Sequence, residues 1–460
     1  MEVSGYAAEG KSLARHDGKV IFIQGAVPGD VVNLIITKNK KDWAEARVKD
    51  HISYSSDRVT PFCIHFGVCG GCKWQMLPYA KQLEFKQQEA TQNLKRIGKI
   101  ELPEILPIIG SEDTVFYRNK LEFTFSNKRF LTAEEINNDV TIQQQDALGY
   151  HAPRVFDKVL NIYECWLMDG VNNRIRNTIR DFAQQNNLSY YDIRAHTGWL
   201  RNIIVRYCTT GELMVNVIIN HEHEDDRIKL LDHLLHVVPE ITTLLYTINP
   251  KWNDTISDLT PQVYLGNGYI TETLEDFKFI ISPVSFFQTN TKQAEKLYSV
   301  ARDFADLTGN EVVYDLYCGT GSIGIFMSKG AKKIIGVEVI EAAIEDAKKN
   351  AALNNISHAS FFAGDVIKIC DDAFFETHGR PDVIITDPPR AGMHEKLVIK
   401  LLDIAAPKIV YVSCNTATQA RDVQLLGEKY FVDKVQPVDM FPHTHHIECV
   451  ILLRLKNDNH

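Results

Sequence analysis

The stretch that decides the fold is Val312-Val313-Tyr314-Asp315-Leu316-Tyr317-Cys318-Gly319-Thr320-Gly321-Ser322. An apolar run typical of a buried strand passes into a glycine turn, and a helical pattern follows. Glycines let the backbone approach a ligand because no Cβ atom intervenes, and amide N–H groups at a helix start point toward that ligand. The stretch therefore predicts a strand, a ligand-binding turn and a helix. Its glycine spacing alone fits a dinucleotide site as well as another nucleoside site.

Around this stretch, strand patterns alternate with helical patterns. The strands are predicted at 311–317, 333–338, 359–363, 382–386 and 408–413. This alternation predicts an α/β fold with a doubly wound parallel sheet over residues 291–460. Ligands of such sheets bind beyond the carboxyl ends of the strands. Acids follow three successive strands, namely Glu338, Asp365 and Asp387, and we expect them to lie around one nucleoside ligand.

The first 290 residues have a different pattern. Residues 1–52 predict a small β-barrel, for which an oligonucleotide-binding barrel and a purely structural β-domain are both open. Residues 53–290 predict a mixed α+β central domain. Its predicted helices cover about 78–97 and 169–187, and its strands cover 116–125, 200–207, 212–220, 262–270 and 277–282.

Length and composition limit the class of protein. A chain of 460 residues is expected to form two or three domains. No apolar run approaches the ~18 residues of a membrane span, and Met1-Glu2-Val3-Ser4-Gly5 does not begin a signal peptide. We therefore expect a cytoplasmic protein, without a membrane partner, in which disulfides are rare. Its nine cysteines should be thiols, metal ligands or nucleophiles.

Charge is distributed unevenly along the chain. The net charge of −9 argues against nucleic acid as a partner. Residues 1–130, however, carry 19 Lys and Arg against 15 Asp and Glu, whereas the remaining 330 carry 31 against 44. A mildly basic front on an acidic body permits an RNA-binding face.

Four cysteines form a candidate metal site. Cys63, Cys69 and Cys72 are clustered, and Cys165 follows much later. Three clustered thiols and one distant thiol suit a four-thiolate site, and on spacing alone iron–sulfur and zinc remain open. Cys208 and Cys370 have no ligand-like partners and are expected to pack in the core.

Five motifs occur in order and carry a resemblance. They are Phe286-Phe287-Gln288-Thr289-Asn290, the turn from Asp315 to Gly321, Asp387-Pro388-Pro389-Arg390-Ala391-Gly392, Ser413-Cys414-Asn415 and His446-Ile447-Glu448. Residues 311–338 resemble the donor-binding motif of class I S-adenosylmethionine methyltransferases. The whole set resembles the RNA 5-methyluridine (uracil-C5) methyltransferases. The resemblance implies donor contacts from Gln288, Tyr317, Glu338 and Asp387, with Asp365 at a further expected contact.

The resemblance also covers the front of the chain. Residues 1–52 resemble a TRAM domain, so Lys38, Lys40, Lys41 and Trp43 are expected to face RNA, and Tyr117-Arg118-Asn119-Lys120 resembles a family motif. The four cysteines resemble the ligands of a [4Fe-4S] cluster. Together these features imply the branch that acts on 23S ribosomal RNA, and we expect a monomer.

Cys414 and Glu448 are the candidate catalytic residues. Uracil C5 is a poor nucleophile until a thiolate adds to C6 and creates an enolate, and a base must then remove the C5 proton. Cys414 lies at a strand end before a predicted helix at about 417–428, whose N-terminus should favour the thiolate. The resemblance assigns the base to Glu448. Thr416 stands where the family usually has proline, which is expected to loosen the turn.

Other interpretations remain open. One alternative, within the same class of methyltransferases, is a transfer RNA as the substrate. Gly319 to Gly324 also fits a nicotinamide-dependent oxidoreductase, although this leaves Cys414 and the Asp-Pro-Pro loop unexplained. A further alternative, which is not an enzyme, is a non-catalytic RNA-binding iron–sulfur protein. Cys318 and Cys449 lie near the motifs and are expected to pack.

Overall fold

The computed structural model describes residues 1–138 and 145–456. The chain divides into two compact units, each made from separate stretches. The first unit comprises Met1–Pro61, Lys73–Thr114 and the chain from Lys292 onward, and the second comprises Phe62–Cys72 and Val115–Thr291. Residues 73–114, which the sequence pattern groups with the central segment 53–290, thus lie in the first unit.

The first unit opens with a five-stranded sheet. Its strands are β1 (Gly5–Tyr6), β2 (Ser12–His16), β3 (Lys19–Gln24), β4 (Val31–Asn39) and β5 (Trp43–Ser53), in the order β1-β2-β3-β5-β4. Only β3 and β5 pair in parallel. Alternate apolar residues such as Ile21, Ile23 and Ala46 form its core, as expected for a sheet with one buried face. Helix α1 (Tyr79–Asn93) follows and continues through a wider helical turn, Leu94–Gly98.

The second unit contains a seven-stranded sheet, in the order β12-β11-β10-β9-β6-β7-β8, and a separate hairpin of β13 and β14. Its elements are β6 (Lys120–Ser126), α2 (Ala133–Asn137), β7 (Ala147–His151), β8 (Val159–Asn161), α3 (Val171–Gln185), β9 (Leu200–Tyr207), β10 (Leu213–Ile219), α4 (Glu224–Val237), β11 (Thr243–Ile248), β12 (Gln262–Leu265), β13 (Ile270–Leu274) and β14 (Phe277–Ile281). The sequence pattern missed β7, β8, β11 and α4.

The strand expected at 262–270 is interrupted. Gly266 and Gly268 have φ of 84° and 82°, a conformation that favours glycine, and they separate β12 from β13. A Cβ atom at Gly266 would lie 2.3 Å from the carbonyl oxygen of Thr242, so this close approach also requires glycine. The two glycines therefore end one strand and allow the next to join a different sheet.

The first unit closes with the predicted α/β sheet, in the order β17-β16-β15-β18-β19-β21-β20. Its elements are α5 (Thr291–Ala305), β15 (Val312–Leu316), α6 (Ser322–Met327), β16 (Lys333–Glu338), α7 (Glu341–Leu353), β17 (Ala359–Ala363), α8 (Val366–Ile369), α9 (Asp372–His378), β18 (Val383–Thr386), α10 (Glu395–Ile404), β19 (Lys408–Ser413), α11 (Thr416–Leu426), β20 (Tyr430–Val438) and β21 (Glu448–Leu455). The five strands from β15 to β19 are parallel, as predicted.

Two features of this sheet prepare the site. Strand order reverses between β15 and β18, which creates a crevice at their carboxyl ends. Strand β21 lies antiparallel between β19 and β20, so the start of β21 lies at the same edge as the end of β19. Helix α1 packs against α11 within this unit.

Among the described residues, no helix is both long and apolar enough to cross a membrane.

Candidate active site

The turn after β15 forms an open shelf. Tyr317, Gly319 and Gly321 all have positive φ, and α6 begins at Ser322. A Cβ atom at Gly319 would meet no atom within 4 Å, so the backbone there borders open space. At Gly321 the same atom would lie 2.9 Å from the ring of Phe361, so packing requires that glycine. The shelf thus has the open backbone that the sequence predicted for a ligand.

Three of the predicted donor residues surround this shelf. Glu338 ends β16, and its carboxylate accepts hydrogen bonds from the backbone of Gly319 (3.3 Å) and Ile340 (3.0 Å). Asp365 follows β17 and caps α8 by accepting from the N–H of Ile367 at 3.0 Å. Burial, followed by the charges of Asp365, Asp422 and Glu338, raises the pKa of Tyr317. The structure therefore brings Tyr317, Glu338 and Asp365 together.

An apolar rim that the sequence pattern did not reveal follows Glu338. Val339 and Ile340 are large apolar side chains that are mostly exposed, at 61% and 60%. An acid that can accept from ribose hydroxyls, next to apolar surface that can cover a flat ring, suits the nucleoside part of a ligand. The signal available in the sequence was an apolar pair, Val339-Ile340, directly after an acid at a strand end.

The candidate catalytic residues meet at the neighbouring strand ends. Cys414 follows β19, Glu448 begins β21, and the pairing of Ser413 with Cys449 places both at one edge of the sheet. Burial, then the charges of Glu448 and Asp387, raises the pKa of Cys414 to about 11, while Arg390 opposes this shift. The structure therefore brings Cys414, Glu448 and Asp387 into one electrostatic cluster.

Both carboxyl groups of this cluster hold protons more tightly than usual. Burial raises the pKa of Asp387 and of Glu448, and the charge of Asp387 raises that of Glu448 further. Arg390 partly offsets the shift at Glu448. A buried carboxyl group with an elevated pKa, next to a thiol and a guanidinium, can hold or accept a proton near neutral pH.

Asn415, directly after Cys414, caps the start of helix α11 with its side chain. The side-chain oxygen of Asn415 accepts from the N–H groups of Ala417 (3.0 Å) and Thr418 (3.4 Å) at the start of α11. These are the N–H groups expected to stabilise a thiolate. The pKa of Cys414 is nevertheless raised rather than lowered, first by burial and then by the charges of Glu448 and Asp387. The expectation of a thiolate favoured by the helix was wrong.

Arg390 is a candidate functional residue to which sequence analysis gave no role. Its guanidinium hydrogen-bonds the thiol of Cys414, which lowers the pKa of that thiol, and it also hydrogen-bonds His446. Its carbonyl oxygen accepts from the side chains of Asn415 (3.1 Å) and Thr418 (3.2 Å). The Asp-Pro-Pro-Arg loop and the nucleophile loop are thus joined. The signal available in the sequence was an arginine within the motif Asp387-Pro388-Pro389-Arg390.

The buried acid Asp422 holds the end of the loop that carries Arg390. Asp422 is fully buried and accepts from the N–H of Met393 (2.8 Å) and the hydroxyl of Tyr411 (2.7 Å), and it pairs with Arg421 at 2.7 Å. Gly392, with φ of 76°, lies against it, and a Cβ atom there would lie 2.7 Å from a carboxylate oxygen of Asp422. Asp422 therefore determines the path of the chain that carries Arg390.

Thr416, which stands where the resemblance implies proline, makes a hydrogen bond with the end of α1. It is the first residue of α11 and is buried, and its hydroxyl accepts from the side-chain amide of Asn93 at 2.8 Å. Proline favours that helix position because its fixed φ suits the first turn. Here a hydrogen bond to the end of α1 holds the turn instead.

Gln288 belongs to the second unit, whereas the other four predicted donor residues belong to the first. Its backbone carbonyl accepts from the side chain of Asn119 at 2.9 Å, and Asn119 also donates to the hydroxyl of Thr291 at 2.8 Å. Asn119, from the motif 117–120, thus fixes the segment that contains Gln288. A donor contact from Gln288 stays a prediction.

The four predicted metal ligands all belong to the second unit. The pKa of Cys63 is raised to about 11, first by burial and also by Cys69 and Cys165, so these three thiols lie within electrostatic reach. The hydroxyl of Tyr150 lies 3.8 Å from the sulfur of Cys165. Over residues 1–138 and 145–456, however, no three His, Cys, Asp or Glu side chains are arranged to hold a metal ion.

Comparison with known families and proteins decides the class. The family model described as tRNA (Uracil-5-)-methyltransferase matches residues 205–456, which is more than half of the chain. The chain belongs to this family. The TRAM domain model matches residues 2–49, in agreement with the predicted barrel. The predicted enzyme class, an S-adenosylmethionine-dependent RNA (uracil-5-)-methyltransferase, is confirmed, and the oxidoreductase and non-catalytic alternatives are set aside.

Similar proteins extend over nearly the whole chain. An uncharacterized RNA methyltransferase of Bacteroides thetaiotaomicron is 55% identical over 453 residues, which covers 98% of this chain and 100% of the relative. One from Porphyromonas gingivalis is 49% identical over 460 residues, covering 98% and 99%. The solved Pyrococcus abyssi tRNA (uracil-54, C5)-methyltransferase, in complex with S-adenosyl-L-homocysteine, is 26% identical with a TM-score of 0.74, covering 98% and 99%.

Proposed function

We propose that this enzyme transfers a methyl group from S-adenosylmethionine to C5 of a specific uridine in 23S ribosomal RNA, with Cys414 as nucleophile and Glu448 as base. The observation that carries the proposal is the meeting of Cys414, Glu448, Asp387 and Arg390 at the carboxyl edge of a nucleoside-binding type of sheet. A thiol, a proton acceptor and a cation are the groups that the reaction requires.

The donor site fits its proposed ligand. Glu338 can accept from ribose hydroxyls, Val339 and Ile340 offer apolar cover for the adenine ring, and Gly319 leaves room for close approach. Tyr317 and Asp365 line the same shelf, and Gln288 is proposed as a further contact from the resemblance. When bound, the donor supplies an electrophilic methyl group on a sulfonium sulfur.

Cys414 activates the pyrimidine. Its thiol loses a proton to solvent while Arg390, hydrogen-bonded to the sulfur, stabilises the developing negative charge. The thiolate forms a bond to C6, and the electrons of the C5–C6 double bond move toward the C4 carbonyl as an enolate. C5 then gains a methyl group: the enolate electrons form the new C–C bond, while the electrons of the broken sulfur–methyl bond stay with the donor sulfur, which would leave as a neutral thioether. The product at this stage is a saturated ring bonded to Cys414.

Glu448 completes the cycle. Its carboxylate accepts the C5 proton, the C–H electrons restore the C5–C6 double bond, and the C6–sulfur bond breaks to release the Cys414 thiolate. The raised pKa of Glu448 makes its carboxylate a stronger base than an exposed one, provided that it is ionised at that step. Asp387, which raises that pKa, is proposed both as a donor contact and as the group that tunes the base.

Two substitutions separate the two roles. Cys414→Ala should abolish methyl transfer, whereas Glu448→Gln should accumulate a covalent complex with RNA because the C5 proton stays in place. Transfer of labelled methyl groups and a denaturing gel of protein with RNA measure both effects. Cys370→Ala is the matched control, since Cys370 is a buried thiol of the same unit, outside the donor turn, without a proposed role. Normal turnover by Glu448→Gln would show that another group is the base.

The RNA class is the finer part of the proposal. The TRAM region together with the four-cysteine pattern favours 23S ribosomal RNA. Quantification of 5-methyluridine in separated 23S and transfer RNA, from cells with and without the gene, tests this directly. The proposal predicts a loss confined to 23S RNA, restored by the wild-type gene and not by one that encodes Cys414→Ala.

Transfer RNA is the second candidate. The Pyrococcus abyssi enzyme is named for uridine 54 of tRNA, and it matches this chain along 99% of its own length. Overall architecture therefore does not separate the two substrates. Loss of 5-methyluridine from transfer RNA alone in the same experiment would favour this candidate over ribosomal RNA.

We also propose that Cys63, Cys69, Cys72 and Cys165 hold a [4Fe-4S] cluster, with zinc as the alternative metal. Their support is the clustered spacing and the electrostatic proximity of Cys63, Cys69 and Cys165. Iron, sulfide and zinc analysis of anaerobically purified protein tests the proposal. Cys63→Ser and Cys165→Ser should lose the metal, whereas Cys208→Ala, a buried thiol of the same unit, should keep it. Metal-free wild-type protein would contradict the proposal.

A further inference from the structure

An exposed tryptophan in the second unit is stacked on a histidine. Trp252 lies between β11 and β12 and is 75% exposed, more than any other large apolar side chain in the described part of the chain. Its ring centroid lies 4.7 Å from that of His196, and the two planes differ by only 7°. The imidazole covers one face of the indole, and the exposed fraction leaves much of the indole open to solvent.

The loop that carries Trp252 does not depend on the indole for its conformation. Arg201 is buried and donates to the carbonyl oxygens of Asn249 (2.7 Å) and Asn253 (2.9 Å) and to the carboxylate of Asp254 (3.0 Å). A single buried guanidinium therefore connects both sides of the loop. Because the loop is fixed from inside, the exposed indole is available for another role.

The histidine beneath the indole is also held in place. The backbone N–H of His196 donates to the carbonyl of Asp192 at 2.7 Å, and its Nδ1 atom hydrogen-bonds the hydroxyl of Tyr191 at 3.2 Å. Asp192 in turn accepts from the N–H groups of Arg194 (2.8 Å) and Ala195 (3.1 Å). Both rings of the stack are therefore preorganised, which lowers the entropy cost of binding a third ring.

A second exposed ring lies beside the same turn. Phe156 is 62% exposed, and the guanidinium of Arg194 lies over its ring at 5.0 Å. Arg194 and His196 are two residues apart in the turn, so their backbones lie within about 7 Å. We call Phe156, Arg194, His196 and Trp252 the aromatic patch.

We propose that the aromatic patch stacks unpaired bases of the RNA substrate. This inference rests on the proposed function, which supplies RNA as the occupant. Every base has a flat π-face, and stacking on an aromatic side chain contributes about 1–3 kcal/mol per base. Arg194 is paired with Asp157 at 2.6 Å, so stacking rather than net charge should dominate. Binding at the patch should consequently be tolerant of base sequence.

Substitution of the exposed indole tests the patch without disturbing the core. In the full-length protein, Trp252→Ala should weaken binding of an unstructured oligouridine by about 5- to 150-fold, the range that corresponds to loss of one stacked base. Trp252→Phe should retain most of the affinity because it keeps an aromatic face. Val263→Ala, an exposed apolar residue of β12, is the matched control. Equal affinities for the wild type and Trp252→Ala would overturn the proposal.

Kinetics and crosslinking distinguish this proposal from the proposed function. Trp252→Ala should raise KM for RNA and leave kcat at saturating RNA unchanged, since the patch is not assigned to the chemistry. RNA that contains 4-thiouridine should photocrosslink to a peptide with Trp252 or His196. Crosslinks exclusively elsewhere would contradict the patch, even if methyl transfer is normal. Trp252-dependent RNA binding without methyl transfer by the wild type would instead contradict the proposed function and leave the patch intact.

Discussion

Asp315 is a fully buried carboxyl group in the strand that leads into the donor turn. One of its oxygens accepts from the N–H of Gly324 at 2.9 Å, and the other has no partner among the described residues. Burial, opposed by that hydrogen bond and reinforced by Asp387 and Glu338, raises its pKa to about 7. An exposed aspartate in the unfolded chain has a pKa of about 3.9. Asp315 therefore connects stability to pH.

Asp315→Asn should reduce the loss of stability on raising the pH. The folded wild type binds a proton at Asp315 that the unfolded chain releases, so its stabilising effect is complete below pH ~4 and disappears as the pH rises through about 7. The variant lacks this titration and should gain stability relative to the wild type between pH ~4 and about 7, with a constant advantage above. Thermal unfolding at several pH values measures the difference. The exposed Asp403→Asn is the control, and parallel pH curves for wild type and Asp315→Asn would contradict the prediction.

Methyl transfer at the proposed catalytic cluster should become faster as the pH rises. Cys414 must lose a proton and Glu448 must be ionised to accept one, and the pKa values of both groups are raised. The value of kcat/KM should therefore rise with pH through and above neutrality. Arg390→Gln should displace this rise to higher pH, because the guanidinium lowers the pKa of both groups. A pH profile of methyl transfer measures this, and an unchanged profile for Arg390→Gln would show that Arg390 does not tune the site.

At the scale of elements, the loop between β18 and α10 is held by its contact with α11. A Cβ atom at Gly392 would lie 2.7 Å from both Arg421 and Asp422, and φ is 76°. Gly392→Ala should therefore lower stability by about 1–3 kcal/mol and reduce methyl transfer, because the loop carries Arg390. Gly379→Ala is the matched control, since φ there is 90° but the added atom would meet only Val312 at 3.5 Å. Equal loss of activity in both variants would contradict a specific effect of the clash.

Helices α1 and α11 are joined by a hydrogen bond in place of a family proline. Removing either partner, by Asn93→Ala or Thr416→Val, should cost about 1 kcal/mol of unfolding free energy. The double variant should cost less than the sum, because the bond is already lost in each single variant. Chemical denaturation of the four proteins measures the coupling. Additive losses would show that the contact contributes nothing.

At the scale of the whole molecule, residues of α1 anchor the loop that leads to Glu448, the proposed base. Lys86 is completely buried, and its ammonium group donates to Asp439 at 2.6 Å and to the carbonyl of Phe441 at 3.1 Å. Lys86→Met leaves Asp439 buried without its cation and should cost about 3–5 kcal/mol, and adding Asp439→Asn should recover part of this. Denaturant unfolding measures both, with the partly exposed Lys81→Met as control. Lack of recovery would indicate that packing around Lys86, rather than charge, is responsible.

The sequence predicted the parallel sheet well because strands buried on both faces are continuous apolar runs that end in glycines and acids. It failed for β7 and β8, which have five and three residues and depend on neighbouring strands for their stability. Segment 73–114, grouped with the central segment in the sequence, lies in the first compact unit through contacts that are distant along the chain. The contacts of Lys86 with Asp439 and of Asn93 with Thr416 join residues more than 300 positions apart, and no local pattern encodes them.

The same limit applies to the candidate site. Cys414, Glu448 and the donor acids lie at strand ends, where topology and motif both indicate chemistry. The contact between Arg390 and His446 spans 56 positions, and Asp422 reaches back to Met393 across 29. These residues act through tertiary contacts, so sequence alone could quote the arginine but could not assign its partners.

The first unit is made from three separate stretches of the chain, and this affects the order in which the nascent chain folds. Helix α1 emerges early from the ribosome, but its partners Thr416 and Asp439 are translated more than 300 positions later. All of the second unit, in contrast, precedes residue 292. We expect nascent chains to become protease-resistant first across residues 115–291, while Lys86 stays hydrated until Asp439 has been translated. A translation product interrupted between the two would thus contain Cys414, the proposed nucleophile, but lack Glu448, the proposed base.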